Sequence, residues 1–114
     1  MFSYIKSWFA GPPPLSPEFL ENLKKDTVTD KVVVYSKTYC PYCTSTKNLF
    51  QGLGQEFKLV ELDINSNGSE IQRGLQELTG QRTVPNVFIN GKHIGGNSDL
   101  QALNSSGKLK GLLA

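Results

Sequence analysis

Apolar side chains along this chain fall into short blocks that are separated by polar and glycine-containing segments. Ser16-Pro17-Glu18 combines a capping hydroxyl, a proline suited to the first helical position and an early carboxylate, which predicts the start of a helix. Residues 31–36 include consecutive valines, which are typical of a strand buried on both faces. After Cys40, apolar residues recur at helical spacing until Gly54, so a second helix is expected there.

The middle of the chain predicts a strand followed by a helix. Residues 57–64 contain five apolar side chains, and we expect them to form a second buried strand. Asn67 and Glu70 have the spacing of a capping box, which would open a helix. Gly80 is then expected to end that helix.

The last third predicts a hairpin and one closing helix. Asn90-Gly91 is a strong signal for a two-residue turn between a strand at residues 87–89 and a returning strand at residues 93–94. Ser98-Asp99 would open a helical segment that ends near Gly107.

The resulting order, α-β-α-β-α-β-β-α, predicts the fold class. Two strands joined by a helix imply a parallel right-handed crossover, and the hairpin adds antiparallel strands. We therefore expect an α/β domain with a four-stranded mixed sheet flanked by helices, which is the thioredoxin-like arrangement. This domain should span residues 15–114, preceded by an aromatic and proline-rich extension over residues 1–14.

The extension itself has two interpretations. Residues 1–10 are rich in aromatic side chains, with Lys6 as the one charged residue, and they fit neither a secretory signal nor an arginine-rich mitochondrial presequence. They are either an aromatic arm that is partly disordered or packs on the domain, or a weak membrane-surface or targeting segment. Gly11-Pro12-Pro13-Pro14 would form an extended spacer. We expect a cytoplasmic protein, with organelle targeting by the extension left open.

Composition and charge narrow the classes of partner. A chain of 114 residues fits one hydrophobic core. A formal net charge of +2, from scattered lysines, does not indicate nucleic acid binding. No segment approaches the roughly 18 consecutive apolar residues that a membrane span requires.

The two cysteines, Cys40 and Cys43, indicate chemistry rather than structural cross-linking. A disulfide between them would close a very small loop and restrict the unfolded chain little. Cys40 falls where a buried strand ends and a helix begins, and unpaired N–H groups at a helix N-terminus favour the thiolate form. Lys37 adds a positive charge nearby. Cys43 lies one helical turn later, where it should be more buried but still within disulfide reach.

Two other uses of the cysteines fit less well. A structural zinc site needs four ligands, and His93 is the one further nitrogen or sulfur donor of the usual kind, so no metal site is expected. A cysteine hydrolase built from Cys40 and His93 would leave Cys43 without a role.

Three segments resemble the motifs of dithiol glutaredoxins. Residues 36–43, SKTYCPYC, resemble their active site, whereas thioredoxins carry Gly-Pro between the cysteines. Residues 80–91, GQRTVPNVFING, and residues 94–100, IGGNSDL, resemble the second and third motifs in the same order. One departure is Asn97, since some members of the family have an additional cysteine at that position.

The resemblance implies a glutathione-dependent thiol–disulfide oxidoreductase that reduces protein–glutathione mixed disulfides and other disulfides. Cys40 and Cys43 would be catalytic, glutathione would be a co-substrate, and no cofactor would be bound permanently. Membership also implies a groove for glutathione. The binding positions it implies are Lys37, Tyr42, Gln72, Arg82, Thr83, Val84, Pro85, Ser98 and Asp99.

Each implied position has an expected task in that groove. Lys37 and Gln72, with Arg82 as a further contributor, would hold the glycyl carboxylate of glutathione. Thr83-Val84-Pro85 would place a cis proline opposite Cys40 and offer the Val84 backbone to the tripeptide as a short strand. Ser98, Asp99 and Tyr42 complete the groove: the first two would bind the γ-glutamyl end, and Tyr42 would form a wall.

A binding role remains as the alternative. In it, Cys40 from two chains and two glutathione molecules would hold a [2Fe–2S] cluster. Pro41 and Cys43 argue against this role, because family members that favour clusters usually have glycine or serine in the active-site tetrad. We therefore expect a monomer whose partners are glutathione, glutathionylated proteins and disulfide substrates.

Overall fold

The structure, a computed structural model, describes residues 11–114, so the predictions for residues 1–10 lie outside it. Within the described range, no helix has the length and apolar character that crossing a membrane demands. The elements follow in the order α1 (Pro17–Asp26), β1 (Val32–Ser36), α2 (Pro41–Gly52), β2 (Lys58–Glu61), α3 (Gly68–Thr79), β3 (Asn86–Ile89), β4 (Lys92–Gly95), α4 (Asn97–Ser105) and α5 (Lys108–Leu113).

The strands form one mixed sheet in the order β2-β1-β3-β4. β1 runs parallel to β2 and antiparallel to β3, so that Val34 lies between Leu59 and Val87. β3 and β4 form the antiparallel hairpin. The predicted four-stranded mixed sheet is confirmed, and β1 is fully buried at its centre, as the valine run indicated.

Alternate residues of the sheet face two separate apolar clusters. On one face, Val32 and Val34 of β1 pack with Phe50 of α2, Leu100 of α4 and Leu109 of α5. On the other, the cluster comes from β1, β2, β3 and the helices α1 and α3; its buried members are Leu23, Val33, Tyr35, Leu62, Leu75 and Phe88. Because both faces are covered, β1 is buried at every position, including Ser36 at its end.

The helix start at Ser16 and the hairpin turn at Asn90-Gly91 are confirmed. The Ser16 hydroxyl accepts a hydrogen bond of 3.0 Å from the N–H of Phe19, with Pro17 at the first helical position. Asn90 and Gly91 both have positive φ, 49° and 78°, which a tight hairpin turn of this kind requires. These elements start where the sequence predicts because a few neighbouring residues determine them.

The second strand and the start of α3 differ from the prediction. β2 has four residues and lies at the edge of the sheet, where Leu59 is 41% exposed and Ile64, beyond the strand, is 75% exposed. The capping box at Asn67 and Glu70 was wrong, because the Asn67 side chain makes no cap. Instead the Asn65 side-chain oxygen accepts a 2.8 Å hydrogen bond from the Asn67 N–H.

The sequence pattern also missed the closing helix. α5 follows Gly107, which has a φ of 78°, and it buries Leu109 against the sheet. Two hydrogen bonds tie its last carbonyls to the body of the fold. Lys31 Nζ donates to the Leu113 carbonyl at 2.9 Å, and Asn90 Nδ2 donates to the Leu112 carbonyl at 3.1 Å.

Candidate active site

Cys40 lies in the short connection between the buried strand β1 and helix α2. It is the N-cap residue of α2, with extended backbone angles, and Pro41 is the first helical residue. The N–H of Cys43 donates to Cys40 Sγ over 3.4 Å, so the sulfur takes the place of a usual capping oxygen. The side chain is partly exposed and can therefore meet a substrate. Its position at the positive end of the helix matches the sequence prediction.

Cys43 has a different environment one helical turn later. Its side chain is 0% exposed, and both cysteines are free thiols in this structure. Burial raises the pKa of the Cys43 thiol, and its hydrogen bond with the Cys40 side chain raises that pKa further. The raised pKa favours the neutral thiol form of Cys43. Its side chain is buried and contacts Cys40, as the sequence predicts.

The loop before Cys40 is held by the end of the neighbouring strand. The Lys37 carbonyl accepts a 3.2 Å hydrogen bond from the Cys40 N–H. Asp63, just beyond β2, accepts from the N–H of Thr38 at 3.0 Å and also from the Thr38 hydroxyl. That hydroxyl is the main reason why the pKa of Asp63 lies below its ordinary value, and the charge of Lys37 lowers the pKa as well.

Sequence reasoning missed Asp63, although a signal was present. The residue follows a strand that runs parallel to β1, and the carboxyl ends of parallel strands meet at one edge of a sheet. A carboxylate at that point is therefore placed beside the loop that leaves β1.

A groove lies next to Cys40, on the side of the cis Val84–Pro85 peptide bond. In the thiol form, Cys40 Sγ donates to the Val84 carbonyl over 3.9 Å, and this contact places Cys40 at the edge of the groove. The groove has a volume of about 390 Å³. It is lined by Tyr42, Thr83, Val84, Pro85, Gly96, Asn97 and Ser98. The structure thus brings together five of the predicted binding positions, and Gly96 and Asn97 are additions to them.

The start of α4 forms the far wall of this groove. Gly96 is the N-cap and has no side chain with which to cap, while the N–H of Gly96 donates to Asp99 Oδ2 at 3.0 Å. Gly95 has a φ of 118°, and a β-carbon at that position would overlap the Asp99 carboxylate. Glycine is therefore required at residue 95. Asp99 does not line the groove itself; it lines a neighbouring depression with Ile94.

Gln72 and Arg82 lie outside the lining of the groove. Gln72 Nε2 donates to the Arg82 carbonyl at 2.9 Å, so it ties α3 to the loop that carries Val84. Gln81, which was not predicted, supports the same loop, because its Nε2 donates to the carbonyls of Thr83 and Pro85, each at 3.0 Å. The half-buried Lys37 does not line the groove either.

His93 is engaged in the sheet and not in a catalytic pair with Cys40. Its Nε2 lies 2.8 Å from Asn86 Oδ1, and its ring packs on Phe88. Burial lowers the pKa of His93, although the charge of Asp99 opposes the effect. His93 lies in the returning strand of the hairpin, where it is partly buried. Among residues 11–114, no three His, Cys, Asp or Glu side chains lie close enough to hold a metal ion.

A larger depression, of about 650 Å³, lies at the opposite end of β1 from Cys40. Residues 30–31, 51 and 54–57 line it. Neither cysteine lines it, whereas Cys40 contacts the smaller groove through Val84.

Comparison with known proteins gives consistent matches over this region. The family model described as Glutaredoxin matches residues 32–94, which include both cysteines. Glutaredoxin-C6 of Oryza sativa subsp. japonica is 60% identical over 94 residues, covering 82% of this chain and 84% of that protein. The crystal structure of a wheat glutaredoxin superposes with a TM-score of 0.82 at 58% identity, covering 85% of this chain and 92% of the other. A buckwheat glutaredoxin–glutathione complex gives 0.79 at 44% identity, with coverage of 87% and 94%.

Proposed function

The chain belongs to the glutaredoxin family of thiol–disulfide oxidoreductases, and from this we propose that it reduces protein–glutathione mixed disulfides with glutathione as co-substrate. The observation that carries the proposal is the groove beside Cys40, bounded by Val84 on one side and by the start of α4 on the other. A disulfide whose glutathionyl half occupied this groove would present its sulfur to Cys40. The relative from buckwheat, which was crystallised with glutathione, adds support.

The chemistry of the groove suits the two ends of glutathione. The tripeptide carries two carboxylates and one ammonium group near neutral pH. The N–H groups at the start of α4 would receive the γ-glutamyl carboxylate, since a helix N-terminus attracts anions. Asp99 uses one oxygen for Gly96, and its other oxygen keeps acceptor capacity for the ammonium. Lys37 would attract the glycyl carboxylate at the other end.

The middle of glutathione would be held by backbone. The Val84 carbonyl and N–H would pair with the cysteinyl residue of the tripeptide in the manner of an added strand. Tyr42, which is 68% exposed, would cover the side of the tripeptide that faces solvent. This arrangement keeps the reacting sulfur near Cys40 without requiring any specific feature of the protein that carries the glutathionyl group.

The first step transfers the glutathionyl group. The Cys40 thiolate attacks the glutathionyl sulfur of the mixed disulfide, and the substrate's sulfur leaves as a thiolate that takes up a proton from solvent. The substrate protein is reduced, and Cys40 now carries the disulfide bond to glutathione. The electron count balances because one disulfide is exchanged for another.

The second step returns the enzyme to its starting state. The thiolate of a second glutathione attacks the glutathionyl sulfur on Cys40, and glutathione disulfide forms. Cys40 leaves as a thiolate at the N-terminus of α2, where the N–H of Cys43 donates to it. With a protein disulfide as substrate, Cys43 would instead attack Cys40 and form the internal disulfide, which two glutathione molecules then reduce.

The test is a comparison of two substrates in a single turnover. A glutathionylated peptide and a small disulfide without a glutathionyl group are each mixed with reduced enzyme, and formation of the substrate thiol is followed. The proposal predicts faster reaction of the glutathionylated peptide by about 10-fold or more, which one or two charge-assisted contacts provide. Equal rates would contradict glutathione recognition.

Cys43→Ser refines this test. We expect it to keep or increase steady-state turnover of the glutathionylated peptide, because the competing Cys40–Cys43 disulfide can no longer form. Loss of that turnover by more than about 10-fold, in a variant whose circular dichroism matches the wild type, would contradict a route through Cys40 alone. The alternative of an iron–sulfur dimer finds no support in the comparisons.

A further inference from the structure

A set of polar side chains joins the helix that carries the cysteines to the helix that bounds the groove. Thr46 Oγ1 of α2 donates to Asn97 Oδ1 of α4 at 3.0 Å. Gln101 Nε2 lies 3.3 Å both from the same Asn97 oxygen and from Ser45 Oγ of α2. We call these four side chains, Ser45, Thr46, Asn97 and Gln101, the α2–α4 clip.

The clip includes a buried hydroxyl, so loss of its hydrogen bond would destabilise the contact between the two helices. Thr46 is 0% exposed, so its hydroxyl has no access to water when the bond to Asn97 is absent. A buried hydrogen-bonding group without a partner is strongly unfavourable, and this penalty fixes the relative position of the two helices.

Asn97 connects this buried contact to the groove. It is the first residue of α4, it lines the groove, and it precedes Ser98. Thr46 follows Cys43 by less than one helical turn. The clip therefore spans from the helix that holds Cys40 to the N–H groups at the start of α4.

We infer that Asn97 is a positioning residue: through Thr46 it fixes the distance between Cys40 and the start of α4, and thereby sets how strongly the groove selects glutathionyl disulfides. This inference rests on the proposed function, because it assumes that α4 receives the γ-glutamyl end. Asn97 acts here through its contact with α2 and needs no contact with the reacting sulfur atoms. The Asn97 side chain thus contributes to selectivity while Cys40 performs the chemistry.

The test uses variants that differ by one functional group. Thr46→Val removes the hydroxyl and keeps the shape, Thr46→Ser keeps the hydroxyl, and Asn97→Ala removes the acceptor. Asn104→Ala, on the exposed face of the same helix, is the matched control. Each variant is given the glutathionylated peptide and the small disulfide in the single-turnover assay, at a temperature at which circular dichroism shows all of them folded.

Thr46→Val and Asn97→Ala should each slow reaction with the glutathionylated peptide by roughly 3- to 10-fold, the range expected when one buried hydrogen bond is lost. Reaction with the small disulfide should change by less than about 2-fold. Thr46→Ser and Asn104→Ala should behave like the wild type. Equal losses on both substrates would overturn the inference, because they would show that the clip supports the fold or Cys40 in general.

The double variant Thr46→Val/Asn97→Ala separates a shared effect from two independent ones. If Asn97 acts through Thr46, the double variant should be no slower than the more impaired single variant. Multiplied losses would overturn this route.

Amide hydrogen exchange provides a readout that does not depend on glutathione. The Leu100 N–H donates to the Gly96 carbonyl at 3.1 Å and reports on the first turn of α4. Its exchange should be about 3- to 10-fold faster in Thr46→Val than in Thr46→Ser. An equal exchange rate of the Leu100 N–H in the two variants would overturn the inferred role of the clip, even if the wild type prefers glutathionyl substrates. If the wild type shows no preference for the glutathionylated peptide, the proposed function is contradicted. The role of the clip in selectivity is then contradicted as well.

Discussion

Two helix N-termini border the groove, and they use their free N–H groups differently. At α2 the N-cap is Cys40, whose sulfur accepts from the Cys43 N–H. At α4 the N-cap is Gly96, which has no capping side chain, and Asp99 turns back to accept from the Gly96 N–H. The first helix end is occupied by a sulfur atom of the chain itself. The second has no capping side chain at its N-cap and borders the groove.

The comparison shows how a helix N-terminus can be used in two ways. Unpaired N–H groups and the helix dipole favour negative charge at both sites. Where the sequence supplies a thiol at the cap, the proposed function makes that helix end the place of the nucleophile and leaving group. Where it supplies glycine, no side chain caps the helix, and the proposed function uses its N–H groups for the γ-glutamyl carboxylate. Predictions about each end can therefore be made separately.

The largest effect is expected at α2. Cys40→Ser should lower turnover of every disulfide substrate by at least about 10³-fold, because a hydroxyl neither attacks sulfur nor carries the glutathionyl group. Serine is itself a good N-cap, so the variant should remain folded. Thiol release and thermal unfolding are the measurements. Substantial residual turnover would show that another group is the nucleophile and that the α2 terminus has only a structural role.

An intermediate effect is expected at α4. Asp99→Asn keeps an acceptor for the Gly96 N–H but removes the charge that would pair with the γ-glutamyl ammonium. We expect single-turnover reaction of glutathionylated peptide to fall by about 10- to 100-fold, as a charge-assisted hydrogen bond of roughly 1.5–3 kcal/mol predicts. A small disulfide without a glutathionyl group should react almost normally.

Two outcomes would change the assignment of Asp99. Equal losses on both substrates would show that its bond to Gly96 maintains the helix end and nothing more. No loss on either substrate would remove Asp99 from recognition, and the open N-terminus of α4 would then have to bind glutathione without it.

The smallest effect is expected in the loop that leads to α2. The folded-state pKa of Asp63 lies below its ordinary value of 3.8, so its stabilising contact with Thr38 is complete above that value. The contact should be lost as the pH falls through the lowered pKa. The NMR shift of the Thr38 amide should follow this titration, and Asp63→Asn should abolish it. A midpoint above 3.8 would contradict the stated direction of the pKa shift.

The parts of the fold that the sequence predicts well depend on near neighbours. Ser16-Pro17 sets the start of α1, and Asn90-Gly91 sets the hairpin turn, because each requires only adjacent backbone. The position of Cys40 was also predictable, since a buried strand and a proline-marked helix start fix it from both sides.

The parts that were missed depend on distant contacts. β2 is shorter and more exposed than its apolar residues suggest, because it pairs with one neighbour at the sheet edge. The α5 helix was missed since its stability comes from burying Leu109 and from bonds to Lys31 and Asn90. A six-residue segment provides too little local signal on its own.

The candidate site divides in the same way. The resemblance to known motifs selects the residues that line the groove, such as Tyr42 and Val84. It did not select Asp63, which acts on the site from another element through its hydrogen bond to Thr38. Nor did it select Gln81, which lies in the same loop as Thr83 and bonds to carbonyls two and four residues away. It also could not foresee that Gln72 binds the Arg82 carbonyl. The roles of Gln72 and Arg82 in binding glutathione stay predictions.

The unequal burial of the two thiols allows the oxidation state of the protein to be measured by chemical labelling. Cys40 is partly exposed and Cys43 has no exposed surface, so a bulky maleimide applied to the folded, reduced protein should mark Cys40 and leave Cys43 until denaturation. The internal disulfide would block both positions, and a glutathionyl adduct would block Cys40 while leaving Cys43 to react after unfolding. Intact-mass spectrometry of sequentially labelled samples could therefore count the three oxidation states in a mixture without any enzyme assay.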